Sequence, residues 1–442
     1  MSVQSKAERI DLLDFKTPQM RAFHMSWFAF LLCFLAWFGM APLMKYVKAE
    51  MHLTPAQIGN LIVASVSATF FARLFFGWLC DRIGPRLSYT LLLVFGSIPV
   101  MGIGLAHSYH TLLLFRLGIG VIGASFVITQ YHTSAMFAPK VVGTANAMAG
   151  GWGNLGGGIT QRVMPWLYGG FLALGVSGAV SWRVSMFVAG IVCLLTGIAY
   201  FFLTQDTPEG NFRDLRARGM MPAKKGGSFL AAGKDYRVWL LFVLYGACFG
   251  IELTIDNIAD LYFTEHFKMS ASVAGWAALS FGGLNLFARA LGGYFSDKTQ
   301  TTGNLNSRVR WLFIIIFLEG LSMMLFSRMT STGPLVMALL VFGLFVCMGC
   351  GATYAVVPFI NKNAVGSVSG IVGAGGNAAA FAAGFLFKKG YDVWPSQVLL
   401  LGAIVTACSF LALMVKFSPV EMPASESVTP ADPIEGLLPA AV

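Results

Sequence analysis

Apolar runs of about 20 residues recur along nearly the whole chain, and the polar, glycine- and proline-bearing breaks between them divide it into twelve candidate spans. The first six cover about 24–45, 56–80, 87–107, 109–138, 142–171 and 182–204. The second six cover about 238–264, 272–296, 310–328, 334–360, 365–391 and 394–416. Runs of this length cross a hydrocarbon core of ~30 Å as helices, which satisfy their own backbone hydrogen bonds where no water can. An outer-membrane barrel, built from short alternating strands, is excluded. The one long internal loop, DTPEGNFRDLRARGMMPAKKGGSFLAAGKDYR, falls midway. The pattern therefore predicts an all-α integral membrane protein of six plus six transmembrane helices. Its parts are a tail over 1–23, a first half over 24–204, a linker over 205–237, a second half over 238–417 and a disordered tail over 418–442, rich in Pro, Ala, Ser and Glu.

Composition agrees: 56% of residues are hydrophobic and 11% charged, against roughly 25% charged in soluble domains, which excludes a soluble enzyme. The net charge of +10 would suggest a nucleic-acid partner in a soluble protein, but here the placement of the cations decides. With the N-terminus inside, 19 of the 30 Lys and Arg fall on the inner side and 7 on the outer, with Arg73, Arg116, Arg162 and Arg289 within spans. The positive-inside rule then places both termini in the cytoplasm of a multi-pass protein of the cytoplasmic (inner) membrane. The polar first 22 residues predict no cleavable signal peptide. Seven cysteines lie in apolar runs or at a span end, and the Cys347/Cys350 pair has no basic neighbour, so neither a metal nor a redox cofactor is expected.

The chain repeats itself. FARLFFGWLCDR, with Arg73, Gly77 and Asp81, recurs 216 residues later as FARALGGYFSDK, with Arg289, Gly293 and Asp297. Tyr131, Val142, Gly143, Gly153 and Asn154 recur at an offset of 223 as Tyr354, Val365, Gly366, Gly376 and Asn377. Two pseudo-symmetric six-helix halves with matching polar positions are the internal symmetry of a secondary transporter, whose site lies near the midplane between the halves.

Arg73 and Arg289 each lie eight residues from the aspartate that ends their span, about 12 Å deep, close to the midplane, where an unpaired charge costs several kcal/mol. The first six spans hold no acidic residue in their apolar interiors, so the counter-charge expected for Arg73 is a substrate anion. A rigid, always-charged guanidinium fork suits a small planar oxyanion, and two forks facing one cavity predict a site with net positive charge. Asn154 and Asn377, 12–14 residues from the span ends, reach the same depth and can either donate to the anion or tie two helices together. Their runs AMAGGWGNLGGG and GIVGAGGNAAA lack the strand and the Gly-Lys-Ser/Thr ending of a phosphate loop, so most of these glycines serve close helix packing. In the seventh span Glu252 and Asp256 share a helix face. They are candidates for proton coupling, or else for a salt bridge to Arg289 or Arg162. His132 is a further relay candidate, or a helix-helix hydrogen-bond donor. Asp81, Arg82, Arg86 and Asp297 at the inner ends are read as a gate that breaks and reforms.

GWLCDRIGPR resembles the signature between the second and third helices of the major facilitator superfamily, and Arg116 in FRLGIG resembles its fourth-helix arginine. Together with Arg73 and Arg289, the glycine-rich motifs around Asn154 and Asn377 are similar to those of the nitrate/nitrite porter family. HMSWFAFLLCFLAWFGMAPLM and YGACFGIELTIDN look closer to its nitrate-uptake branch. The resemblance spans all twelve helices. It implies a transporter, not an enzyme, importing nitrate and also nitrite by alternating access, with the anion on the two arginines, aromatic rings sandwiching it, and the glycine-rich helices sliding during transport. Matched position by position, the rings are Phe126 in GASF and Tyr245 and Phe249 in LYGACFG, whose depths reach the arginine layer. Import of an anion against an inside-negative potential needs about two protons per anion or exchange for an exiting anion. The resemblance leaves symport and antiport open, as well as other small monovalent anions such as formate or cyanate. A nutrient sensor finds no signalling domain in the tail. A monomer in the lipid bilayer is expected, with no nucleic acid and no cofactor.

Overall fold

The computed structural model describes residues 5–220, 228–299, 304–388 and 393–417. Twelve helical segments run back and forth through it: α1 (18–51, interrupted at Gly39), α2 (Pro55–Ile83), α3 (Pro85–Leu105), α4 (Tyr109–Met136), α5 (Val142–Ala173), α6 (Gly178–Leu203), α7 (236–266), α8 (271–299), α9 (Asn306–Phe326), α10 (Thr332–Phe359), α11 (Val365–Gly384) and α12 (Trp394–Met414). No β-strand occurs among the described residues, and nine of the segments (α1, α3, α4, α6, α7 and α9 to α12) are long and apolar enough to cross a membrane. Two short helices, Phe212–Ala217 and Ser228–Lys234, lie in the linker. The remaining linker residues 221–227 and the tail 418–442, expected to be disordered, lie outside the described residues.

Local chemistry sets the boundaries. Thr54 and Gln57 form a reciprocal capping box at the start of α2, and Ser108 and Thr111 form one at α4. Between α2 and α3 the chain turns at Gly84, whose φ of 92° favours glycine, and Pro85 opens the next helix. α1 begins at Pro18, earlier than the apolar run that announced it, because a proline at the first helical turn loses no hydrogen bond. The residues before it pack on the α4–α5 corner: Ala7 exchanges backbone hydrogen bonds with Met136 and Ala138, and Lys6 Nζ donates to Ser134 O at 2.9 Å. At the other end of the chain, Phe417 N donates to Asn306 Oδ1 at the start of α9. Both ends of the described chain therefore sit on one face of the bundle, called here the terminal face.

α3 packs on α6 and α9 on α12, towards the outside of each half. The seam between halves is made by α2 against α11 and by α5 against α8 and α10. It is tight because glycines face each other across it. A Cβ on Gly77 would collide with Gly366 O and lie 2.9 Å from Gly370 Cα, and one on Gly293 would collide with Gly143 O. Small residues bring transmembrane backbones together in this way, here between the two repeats.

Gly77→Ala is expected to lower the thermal midpoint of the purified protein, since overpacking costs ~1–3 kcal/mol. Gly158→Ala, where a Cβ meets nothing within 4 Å, is expected to leave it unchanged or raise it, by up to ~1 kcal/mol of helix propensity. Parallel thermal-unfolding curves of the two variants check the contrast.

Candidate functional site

Arg73 on α2 and Arg289 on α8 are both buried, at the depth where several neighbouring helices depart from α geometry. α4 carries a 3-10 turn at Val121–Ala124, α7 a π turn at Gly246–Gly250, and α8 a 3-10 turn at Leu284–Leu286. Such turns redirect side chains and free backbone carbonyls. Gly123 O, in the first of them, accepts from Arg73 Nε at 3.2 Å. The other hydrogen-bond partners of Arg73 come from the opposite half. Nη1 donates to Gly373 O at 2.6 Å, and the Asn377 amide oxygen accepts from Nε at 3.3 Å and Nη1 at 3.0 Å. Nη2 has no partner among the described residues.

Arg289 is held differently. Nε donates to Asn285 Oδ1 at 2.7 Å, Nη2 pairs with Glu252 Oε2 at 2.5 Å, and the Asn154 amide oxygen of the opposite half accepts from Nη2 at 2.6 Å. Each asparagine thus binds the arginine of the other repeat. The site is positive by one formal charge: two guanidiniums and the carboxylate of Glu252. Missing side chains permit the approach, since a Cβ on Gly370 would lie 2.7 Å from Arg73 O and one on Gly151 would collide with Asn285 O.

Phe126, Tyr245 and Phe249 lie at this layer with nearly parallel rings. Phe126 is 5.7 Å from Tyr245 and 6.0 Å from Phe249, at interplanar angles of 10° and 9°. The Arg73 guanidinium lies 5.3 Å from the Phe126 centroid and 5.1 Å from that of Phe249, and Arg289 lies 5.4 Å from Phe249. Phe249 is therefore shared by both cations. A flat ion between two ring faces needs about twice a ~3.5 Å contact distance, so the rings must part by roughly 1 Å to take one in. Tyr354, whose hydroxyl donates to Ser369 O at 3.0 Å, meets Phe126 and Tyr245 edge-on at 4.7 and 4.9 Å. The offset of 223 that paired it with Tyr131 was the one sequence signal for it.

Of the three proton-coupling candidates, Glu252 alone touches an arginine. It also accepts from Asn285 Nδ2 at 2.8 Å, and Cys350 Sγ lies 3.4 Å away. Asp256, one turn along the same face of α7, is exposed although protein surrounds it. His132 is not at the site. It is buried between α1, α4 and α6, with Nε2 2.7 Å from Gln205 O and Nδ1 2.6 Å from the Tyr200 hydroxyl, and so ties helices within the first half. Arg116 donates to Trp37 O at 3.0 Å, bracing α4 on α1. Arg162 is exposed, 6.0 Å from the Trp276 ring, and does not pair with Glu252.

The terminal face is closed by two crossed caps. Asp81 on α2 accepts from Gly366 N (3.1 Å), Ser367 N (2.8 Å) and Ser367 Oγ (2.6 Å) at the start of α11. Asp297 on α8 accepts from Gly143 N (3.2 Å), Thr144 N (2.6 Å) and Thr144 Oγ (2.6 Å) at the start of α5. A carboxylate at a helix N-terminus meets unpaired N–H groups and the positive end of the helix dipole. Arg308, which sequence reasoning passed over as a loop charge, pairs with Asp297 at 2.5 Å and donates to Pro139 O of the opposite half. Arg82 and Arg86, expected in this gate, contact their own half instead. Arg82 stacks on Trp78, while Arg86 lies on Phe201 and donates its N–H to Asp206, whose carboxyl burial pushes up to about 6. These hydrogen bonds between the halves, with that of Trp152 Nε1 to Leu286 O at 3.2 Å, lie within a turn of the arginine layer or between it and the terminal face.

The sequence profile of the Major Facilitator Superfamily matches residues 26–384. High affinity nitrate transporter 2.5 of Arabidopsis thaliana is 36% identical over 419 residues, covering 94% of this chain and 84% of that protein. The nitrate/nitrite transporter NrtP of Nostoc punctiforme is 30% identical, covering 81% and 84%. Among solved structures, a double tryptophan mutant of XylE superposes with a TM-score of 0.68 at 14% identity, over 91% of this chain and 98% of that one, which speaks to the fold alone.

Removing a cap should open the terminal face. Asp81→Ala loses hydrogen bonds to a charged acceptor, each ~1.5–3 kcal/mol, so the open population rises about tenfold or more. Cys80, fully buried beside it, should then react correspondingly faster with a maleimide, read by mass spectrometry of the intact protein.

Proposed function

The chain belongs to the major facilitator superfamily, in its nitrate-transporting porter branch, and on that premise we propose that it imports nitrate, and nitrite with it, across the cytoplasmic membrane by alternating access. The observation that carries this reading is the arginine layer: two buried guanidiniums, one carboxylate, and parallel aromatic rings beside both cations. One small monovalent anion neutralises that layer. A planar oxyanion matches both the fork of a guanidinium and the space between Phe126 and Phe249 once the rings part. Arg73, with Nη2 unpartnered, receives the anion first. With the termini in the cytoplasm, the crossed caps seal the inner side, and the anion arrives from outside past Asp256.

Arg289 joins the anion only by loosening its pair with Glu252. An anion taking Nη2 displaces Glu252 from that donor, and a Glu252 carboxylate left without its cation at this depth takes up a proton. One proton thereby accompanies the anion. With both arginines satisfied by one ligand, the halves are drawn together at the site, Asp81 and Asp297 release the helix starts they cap, and the inner side opens. Moving nitrate alone inward costs about 2.3 kcal/mol per 100 mV, so coupled protons make the import thermodynamically downhill.

Purified protein in liposomes is expected to accumulate labelled nitrate under an inward proton gradient, uncompeted by excess formate or cyanate. Nitrite-loaded vesicles that take up nitrate without any gradient, while empty vesicles with a gradient do not, would make the protein an exchanger. Arg73→Lys and Arg289→Lys keep the charge but lose the planar fork, and uptake is expected to fall about 10- to 100-fold, the weight of a bidentate charged contact. Wild-type uptake in either variant would overturn the clamp.

A further inference from the structure

α9 lies on the outer side of the second half, yet it carries a carboxylate inward. Glu319 is fully buried, and neither of its carboxyl oxygens has a hydrogen-bond partner among the described residues. It sits 13 residues from Asn306 and 7 from Phe326, about 20 and 10 Å from the two ends of its helix, and so within the hydrocarbon. A side chain of this cost is seldom kept in a membrane helix without a use.

Its surroundings lead back to the anion site. Gly349 of α10 leaves a notch in which a Cβ would lie 3.1 Å from Glu319 Oε2 and 3.2 Å from Cys248 Cβ. Cys248 belongs to the π turn Gly246–Gly250 that also presents Phe249, and one turn further along α7 is Glu252. The titratable groups around Glu319 are Cys248 and Glu252 from α7 and Cys347 from α10, with Cys350 of α10 3.4 Å from Glu252, while Gly402 and Thr406 of α12 pack on the adjoining Gly320. Arg289, the buried cation of this layer in the same half, is engaged by Glu252. With no donor and no free cation, the enclosure accommodates the acid and not the carboxylate.

We propose that Glu319 holds the second proton of the transport cycle. The inference rests on the proton-coupled import described above and adds a stoichiometry to it. The proton passes between the Glu319 carboxyl and Glu252 when the π turn of α7 shifts, one O–H breaking as the other forms, with no change of oxidation state. Glu252 alone makes import electroneutral, one proton with one monovalent anion. Glu319 adds a net positive charge, so an inside-negative potential drives accumulation.

The test uses the full-length protein in liposomes with a potassium diffusion potential. Wild-type nitrate accumulation at steady state is expected to rise about 50-fold per 100 mV, the ~2.3 kcal/mol that one net charge carries. Glu319→Gln, an isosteric stand-in for the acid, is expected to keep nitrate counterflow and proton-driven uptake while its voltage response falls to about onefold. Glu319→Asp, which keeps an acid, should keep the voltage response with a displaced pH profile. A wild-type voltage response in Glu319→Gln overturns the proposal. Loss of counterflow in both variants also overturns it, marking the residue as structural. A wild-type protein without nitrate counterflow would instead remove the nitrate reading on which the inference rests.

Discussion

A guanidinium placed midway through a hydrophobic bundle must have its charge answered, and here there are two of them with a single carboxylate in direct contact. Everything else at the seam follows from that constraint. Carbonyl and amide oxygens converge on the cations: Gly123 and Gly373 on Arg73, Asn285 and Asn154 on Arg289, Asn377 on Arg73. These oxygens solvate the cations without discharging them, because a neutral acceptor lowers the cost of burial and leaves the net charge in place. The glycine faces of α5 and α11 are the steric condition for this solvation. With a side chain at Gly370 or Gly151, the backbone carrying each arginine could not approach the helix that supplies its asparagine.

The connections cross between repeats at both levels. Asn377 of the second half holds Arg73 of the first, and Asn154 of the first holds Arg289 of the second. Eight residues away along the same two helices, Asp81 and Asp297 cap the helices that carry those asparagines. α2 and α11 are thus joined at the site and at the terminal face, and α5 and α8 likewise. A change in how an arginine is satisfied is transmitted along a rigid helix to a carboxylate about 12 Å away. For the proposed function this supplies a physical coupling between ligand and gate that needs no intermediate residues, since both contacts lie on the same pair of elements.

Much of the fold was legible because a bilayer admits so few solutions: a 20-residue apolar run becomes a helix, and the repeated FAR and glycine-asparagine motifs tie the halves together. That Arg73, Arg289 and the asparagines share one level also followed from counting at 1.5 Å per residue. What counting could not give was azimuth and partner. Arg308 read as one more inner-side cation, though it is buried against Asp297. Arg82 and Arg86 read as gate residues by proximity, though their helix end turns them towards their own half. The π turn of α7 inserts a register shift that no periodicity in YGACFGIELTIDN discloses. Such a turn changes which residues beyond it face the axis, and there Glu252 meets Arg289 while Asp256, one turn along the same face, remains exposed.

The internal symmetry is broken at the arginine layer, and the proposed function depends on the break. Arg73 is bound by neutral oxygens alone among its recorded partners and keeps Nη2 free, whereas Arg289 shares its Nη2 with Glu252. A symmetric pair of bare guanidiniums would repel each other and hold any anion too strongly to release it. A symmetric pair of neutralised ones would have no reason to bind an anion. On the proposed reading, one free and one borrowed cation give a site that attracts an anion first at Arg73 and engages Arg289 in competition with a carboxylate. The displaced carboxylate is then positioned to reclaim its arginine. Under that reading binding and release become an exchange between two anions, the substrate and Glu252, and the affinity of the site is the difference between them.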